Sequence, residues 1–305
     1  MRILLYNALT TLFQSLSPET ISTAGKILGK SMYYCLPARK KIATNALNNQ
    51  LGYRESQKIA HHSFVHSGKS FLEILVARQF DFRFLHSRVR IDSPENLEFI
   101  KKVNRPIVAT TGHFGAWELL AGILRLNFQD RNSQIIVREP KDWALNNILQ
   151  HYRSRHGVEI VSKENATFKV LRCLKKNGIS AFLVDQNTAR SQAVFMPFLN
   201  KYAAINIGPA LLAIRSQALI WPAFLSRDSD TCYTFYSFEP LDTKDLTGSK
   251  EEKLEQAARF YTQKVEQMVT RFPEQWFWMH KRWKTRPKWE QKEIKGPAMP
   301  GQIKD

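Results

Sequence analysis

The stretch TTGHFGAWELL, residues 110–120, puts a histidine and an acid five positions apart where an apolar run gives way to helix formers. On a continuous helix those positions are rotated by about 140° from each other and do not share a face. His113 and Glu118 can meet only if His113 lies in the turn before a helix and Glu118 in its early turns. The sequence permits that: a strand ends at Thr111, Gly112 and Gly115 surround the histidine, and helix formers begin at Ala116. A carboxylate behind an imidazole fixes its tautomer and stabilises the imidazolium that forms when it takes a proton. Such a pair is a general base and needs no serine or cysteine nucleophile. Two other readings share the spacing. Zinc usually takes helical histidines four apart, as in HExxH, and no third ligand stands nearby. A histidine can also simply cap a helix whose positive end favours Glu118.

The elements that would position this pair follow from periodicity. From about residue 105, short apolar runs alternate with helical segments. RPIVATTG, SQIIVRE, VEIVS, ISAFLVDQ, ALIWPAFLSRD and CYTFYSFEPL are strand candidates. The helical segments are AWELLAGILRLNF, DWALNNILQHYRSRHG, ATFKVLRCLKKNG, GPALLAIRSQ and residues 250–271. That alternation predicts an α/β fold, a central, largely parallel mixed sheet flanked by helices. Residues 1–90 read as an N-terminal helical region, 91–290 as the α/β domain and 291–305 as a mobile basic tail. In a simple α/β order the strand ending before Arg138 would lie beside the strand ending before His113.

With 43% hydrophobic and 24% charged residues, the 305-residue chain is globular and not disordered. A net charge of +18 suits anionic partners, among them nucleic acid, an acidic membrane surface, an acidic carrier protein or a phosphorylated substrate. The three cysteines form no CxxC and argue for a reducing compartment. No apolar run in residues 1–41 is long enough to span a bilayer, and no signal-peptide cleavage pattern is present. Ile3, Leu4, Leu5, Leu9, Leu12, Phe13 and Leu16 make a broad apolar face, and Ile27, Leu28, Met32, Tyr33 and Leu36 follow before Arg39, Lys40 and Lys41. These suit helices of a membrane-interface region, or helices packed on a core. WFWMHKRWKTRPKW near the C-terminus interleaves four tryptophans with cations. It fits a membrane border, a single-stranded nucleic-acid surface or a segment with Trp276 and Trp283 buried. His62 and His66, four apart, lack acidic or thiolate company and read as structural, as does His280.

HFGAWE resembles the HX4(D/E) motif of the glycerolipid-type acyltransferase superfamily, and TTGHFGAWELL resembles the corresponding stretch of the bacterial lipid A biosynthesis (lauroyl/myristoyl) acyltransferase family. The likeness continues in order through IIVREPKDWALNNILQHYRSRHGVEIV, then the block beginning FLVDQNTARSQAVFMPFLN, then PEQWFWMHKRWKTRP, and covers roughly residues 1–290. The chain departs from that pattern with PFLN where two Phe and a Gly are common, and with Asn206 where a Thr is usual. The resemblance implies transfer of a fatty acyl chain from an acyl carrier protein thioester to a hydroxyl of an anionic lipid A precursor. His113 would be the base and Glu118 its orienting acid. Arg138 would supply charge to the oxyanion or hold a phosphate, and Arg153 and Arg155 would hold substrate phosphates. Asp185 and Gln186, at a strand's C-terminal end, would support the site. That chemistry calls for no cofactor and no metal. The expected location is the cytoplasmic face of the inner membrane, in contact with its surface. Two alternatives stand beside this reading. One is transfer to another glycolipid or an aminolipid. The other is nucleic-acid binding, which explains the charge, leaves the His–Glu arrangement idle and matches no RNP, KH, zinc-finger or helix-turn-helix pattern; nucleic acid is therefore not an expected partner.

Overall fold

The structure, a computed structural model, describes residues 16–50, 52, 55–74, 81–138, 146–147, 150 and 158–290. Three helices open it: α1 (Pro18–Cys35), α2 (Pro37–Gln50) and α3 (Ser56–Glu73). They lead through α4 (Phe82–Arg88), β1 (Val89–Ile91) and α5 (Pro94–Lys102) into the sheet. There follow β2 (Ile107–Thr111), α6 (Leu120–Asn127), β3 (Ser133–Val137), β4 (Glu159–Ser162), α7 (Ala166–Lys175) and β5 (Ile179–Leu183). A hairpin of β6 (Ala193–Phe198) and β7 (Lys201–Asn206) stands apart from the sheet. The chain then makes α8 (Gly208–Arg215), β8 (Leu219–Arg227), β9 (Tyr233–Ser237), β10 (Leu241–Asp242) and α9 (Lys250–Arg271).

The strand order is β1-β9-β8-β2-β5-β3-β4, with β10 paired to β8. Strands β8, β2, β5, β3 and β4 run parallel. β9 is antiparallel to β8, and β1 lies parallel beside β9. The expected mixed, largely parallel α/β sheet is therefore what forms. Period-two alternation divides its side chains between two cores. Val108, Ile220 and Phe224 join a core with α1–α3, α7, α8 and α9. Ile107, Ala109, Leu219, Trp221 and Leu225 point the other way, toward α4, α5 and α6. Tyr33, Leu47, Ala60 and Phe64 belong to the first of these cores, so α1–α3 share hydrophobic packing with the sheet.

Three sequence expectations need correction. β3 is not beside β2, because β5 inserts between them; strand order is set by crossovers, to which local periodicity is blind. Val89 and Arg90, at the end of the stretch expected to be helical, join Ile91 in a strand sustained by its pairing with Tyr233–Phe235. Residues 193–206, absent from the strand candidates, form the β6–β7 hairpin, turning at Leu199 and Asn200 with φ of 49° and 62°. Positive φ at both central residues matches the twist of a two-residue hairpin, and such positions usually hold Asn or Gly. Residues 1–15, which carry most of the first apolar face, the helix DWALNNILQHYRSRHG, with Arg153 and Arg155, and the tail 291–305 fall outside the described residues apart from isolated positions.

α1 and α3 cross at backbone contact. A Cβ on Gly68 would sit 2.4 Å from both the Gly25 carbonyl oxygen and the Gly29 nitrogen, and one on Gly29 would sit 2.3 Å from the Phe64 oxygen. Glycine in a helix is normally a loss of about 1 kcal/mol relative to alanine. Here the sign should invert: Gly68→Ala is expected to destabilise by about 1–3 kcal/mol through overpacking. Denaturant unfolding checks this, and a midpoint equal to or above that of the parent would mean that the helices do not cross so closely.

Candidate active site

β2 and β5 are neighbours in register, Thr111 opposite Leu183, so the segments leaving their C-terminal ends emerge side by side. One carries Gly112-His113 and the other Asp185-Gln186. Crevices at the carboxyl ends of parallel strands are where open α/β sheets place their sites. After Thr111 the chain turns instead of entering a helix directly. Gly115 adopts φ +56°, and a Cβ there would lie 2.0 Å from the Leu225 oxygen. Only glycine lets this turn lie against β8. Short 3₁₀ geometry at Trp117–Leu119 then leads into α6, so His113 is in the turn and Glu118 in the first helical residues.

The turn brings His113 onto Asp185. Its ring Nδ1 lies 2.8 Å from Asp185 Oδ1, and its backbone N–H donates to Oδ2, also at 2.8 Å. The absent side chain of Gly112 makes room, since a Cβ would stand 3.2 Å from Oδ2. The Trp276 indole N–H donates to Oδ2 at 2.8 Å. Burial pushes the Asp185 carboxyl up, but the His113 ring and backbone N–H and the Trp276 indole outweigh it and hold it at about 2. The carboxylate is thus ionised and acceptor-only, so Nδ1 of a neutral His113 carries the proton and Nε2 carries the lone pair. Gln186 places its amide nitrogen 3.1 Å from that Nε2. The ring keeps 22% of its side-chain surface open, against 2% for Asp185.

Trp276 belongs to the segment after α9, which closes over the turn. Phe114 and Trp276 form an antiparallel bridge, Gly115 N–H donates to the Gln275 carbonyl at 3.0 Å, and Phe277 N–H donates to the His113 carbonyl at 3.0 Å. Trp276 and Trp278 are fully buried in edge-to-face contact, with ring centroids 4.6 Å apart. Trp117 and Phe277 stand 5.6 and 6.0 Å from the His113 ring, and half-exposed Phe71 adjoins both. The four-tryptophan motif is therefore mainly a structural clamp on the site, although Trp289 is half exposed.

Of the residues singled out in the sequence, His113, Asp185 and Gln186 come together directly. The carboxylate on Nδ1 is Asp185, for which the sequence suggested only support, while Glu118 Oε1 accepts from the Trp117 indole at 3.2 Å. Arg138 is exposed at the C-terminal end of β3, on the same edge of the sheet but with β5 between it and β2. Sequence reasoning missed Trp276 as a partner of the site. The position of DQ at a strand's end was the available signal for Asp185; nothing local signalled the indole.

His280 is structural, as its surroundings suggest. Its Nε2 accepts from the Asn187 backbone N–H at 2.7 Å, which requires a neutral ring. Burial carries its pKa from 6.5 down to about 4, and burial together with Arg227 carries that of His66 to about 2. The unfolded chain binds protons near pH 6.5 that these folded rings refuse, so stability is full above that value and falls as pH drops toward 4. The depressed Asp185 carboxyl contributes its own loss only below its ordinary 3.8. His280→Gln, whose amide oxygen can still accept from Asn187, is expected to flatten the stability loss between about pH 6.5 and 4. Denaturant midpoints across that range test it; an unchanged slope would mean that His280 is charged in the fold.

The sequence pattern of the bacterial lipid A biosynthesis acyltransferases matches residues 1–285. The chain is 24% identical over 266 residues to a lipid A biosynthesis palmitoleoyltransferase of Escherichia coli (strain K12), spanning 83% of this chain and 81% of that one. It is 25% identical over 266 residues to a lipid A biosynthesis lauroyltransferase of the same organism, spanning 85% and 84%. Among solved structures, the 1-acyl-sn-glycerophosphate (LPA) acyltransferase PlsC from Thermotoga maritima aligns with a TM-score of 0.38 at 18% identity, over 88% of this chain and 98% of that one. Because the family's sequence pattern spans residues 1–285, the chain is an acyltransferase and belongs to the bacterial lipid A biosynthesis acyltransferase family.

Proposed function

We propose that this acyltransferase moves a fatty acyl chain from an acyl carrier protein thioester to a hydroxyl of a lipid A precursor, with His113 as general base. The observation that carries the reading is the His113–Asp185 hydrogen bond, which leaves the Nε2 lone pair to face the Gln186 amide on a ring that is 22% exposed. The acceptor hydroxyl displaces the Gln186 amide from Nε2 and gives up its proton there. Its oxygen attacks the thioester carbonyl carbon directly and the carbonyl electrons move onto oxygen. Collapse of the tetrahedral intermediate breaks the C–S bond, and the proton on Nε2 passes to the departing thiolate. Asp185 stabilises the imidazolium between the two transfers. Gln186, freed from the ring, and Arg138 from the β3 end are candidate donors to the oxyanion. Arg153 and Arg155 remain candidate phosphate ligands for the acceptor.

Two carboxylates now compete to be the partner of His113, and substitution separates them. Asp185→Asn keeps an acceptor near Nδ1 but loses the negative charge, so turnover should fall by about 10²–10⁴ with little change in apparent substrate affinity. Glu118→Gln should be milder. Purified variants assayed with acyl carrier protein thioester and a lipid A precursor decide the matter. The reverse ranking would make Glu118 the orienting acid, and wild-type turnover in His113→Ala would remove the base altogether. Mass spectrometry of lipid A from cells with and without the gene tests the acceptor: unchanged lipid A beside an altered second glycolipid or an aminolipid would redirect the reading.

The site of action we propose is the cytoplasmic face of the inner membrane. Among the described residues no helix is long and apolar enough to cross a bilayer. On α1, Tyr33 packs inward while Ile27, Lys30 and Tyr34 share an exposed face, with Ile27 at 62% and Tyr34 at 72% exposure and Leu36 following. Apolar and cationic side chains on one helix face suit the interface of an anionic bilayer. Salt screens only the charged part of such binding. Flotation with anionic vesicles should therefore retain a substantial bound fraction at 1 M salt (roughly a 3 Å screening length), and Ile27→Asp/Tyr34→Asp should remove that residue. Complete release of the parent protein by salt would eliminate the apolar contribution.

A further inference from the structure

α3 buries a polar stripe. Ser63, His66, Ser67, Ser70 and Glu73 recur at helical spacing on the side facing the sheet, and Ser63, Ser67, Ser70 and Glu73 are almost wholly excluded from water. At its end Glu73 meets Arg227, the last residue of β8, in a bidentate pair: Nε to Oε1 at 2.9 Å and Nη2 to Oε2 at 2.6 Å. The two side chains are 1% and 3% exposed. Tyr233 donates its hydroxyl to Glu73 Oε1 at 3.2 Å, and Arg227 Nη1 donates to His66 Nδ1 at 2.8 Å. The remaining Nη2 contacts run toward the site. Nη2 donates to Ser70 Oγ at 3.1 Å and reaches the Gly115 carbonyl at 3.4 Å, while Ser70 Oγ lies 2.5 Å from that same carbonyl and 2.9 Å from the His66 carbonyl within α3, the nearer taking its proton. Arg227 also exchanges two backbone hydrogen bonds with the Gln275 side chain, 2.8 and 2.9 Å, and the Gln275 carbonyl accepts from Gly115 N–H.

A buried ion pair is a weak source of stability, because desolvation consumes most of its Coulombic attraction, and packed apolar residues commonly do as well. One arm of this pair reaches the carbonyl of Gly115, two residues beyond His113, in a turn whose own backbone bond is the short one from Phe114 N–H to the Gly112 carbonyl, 2.8 Å. We propose that Ser70, oriented by the Arg227–Glu73 pair, is a positioning residue that fixes the His113 turn and so holds the imidazole on Asp185. The proposal rests on reading His113 as the base. Neither the ion pair nor Ser70 touches the reacting atoms; they act through the backbone of the turn. A base displaced by a fraction of an ångström loses rate without losing substrate, since ground-state binding does not depend on the proton in flight.

The test compares Ser70→Ala with Ser67→Ala, whose hydroxyl donates only to the Ser63 carbonyl within α3. Both alanines suit a helix and both remove one buried hydroxyl, so a general loss of packing would affect them alike. Losing the Ser70 hydroxyl removes its bond to the Gly115 carbonyl and one acceptor of Arg227 Nη2, and should lower turnover by about 3- to 10-fold in Ser70→Ala, with KM for both substrates within about 2-fold. Ser67→Ala should turn over as the parent does. A second readout is independent of activity: in ¹⁵N-histidine-labelled protein, assigned by loss of signals in His113→Ala, the His113 ring resonances should shift or broaden in Ser70→Ala alone. Parental turnover with unmoved resonances in Ser70→Ala, or equal defects in the two alanine variants, would overturn the proposal. Moved resonances in Ser70→Ala together with an active His113→Ala would instead defeat the general-base reading and leave the positioning intact.

Discussion

Asp185 is a carboxylate with almost no water around it, and the groups that replace that water come from distant parts of the chain. The turn after β2 supplies a ring and a backbone N–H, and the segment after α9 supplies an indole. A charge buried this deeply is tolerated only if its acceptor capacity is filled by donors already in place. The requirement constrains much else. β5 must lie beside β2, Gly112 eases the approach of the carboxylate to the turn, where a Cβ would stand 3.2 Å from Oδ2, and the chain must return after α9 to lay Trp276 across the gap. The same donors that make the burial tolerable keep Asp185 ionised, and an ionised Asp185 sets the tautomer of His113. The burial of Asp185 and the tautomer of His113 are thus consequences of one set of hydrogen bonds.

Much of this was legible in the sequence, and what was not divides cleanly by physical cause. Strand and helix identities from residue 105 onward follow from apolar periodicity, and the turn position of His113 follows from the two glycines beside it. Periodicity carries no information about strand order. Reading β3 beside β2 favoured Arg138 as the nearest partner, whereas the insertion of β5 brings Asp185 there instead. The nearest acid in sequence, Glu118, was therefore a more visible candidate than the nearest acid in space. The β6–β7 hairpin escaped notice because its turn uses Leu199 and Asn200 at positive φ in place of an Asn-Gly signal. In α3 the expectation that apolar residues mark the buried side fails for a specific reason: Ser70 and Glu73 are buried because partners on β8 and in the turn satisfy them, while Phe71 between them is left at 39% exposure.

The excess of 18 positive charges takes several forms in the fold. Some cations are structural. Arg282 is buried and donates to the Ala204 carbonyl at 2.7 Å, and burial lowers its pKa to about 10, still cationic at neutral pH. Arg131 gathers the carbonyls of Ile100, Val103, Arg105 and Asn177, tying α5 and α7 to the sheet. Others, such as Lys26 and Lys30 on α1, are exposed beside apolar side chains. A net charge therefore overstates the charge offered to partners, and the cations that matter for an anionic surface are those sharing a face with exposed apolar residues.

The bridge between Phe114 and Trp276 has a consequence for how the enzyme comes into being. His113 and Asp185 are made early, but the strand partner of the turn and the indole that completes the carboxylate's shell lie in the last part of the described chain. A nascent polypeptide still attached to the ribosome at α9 holds the histidine and the aspartate without the residues that lock them together. The hydrogen-bonded surroundings of Asp185 are therefore completed only once residues 273–278 have emerged and settled over the sheet edge. The order in which the chain is made leaves the indole donor to Asp185 to be added after every described strand of the sheet.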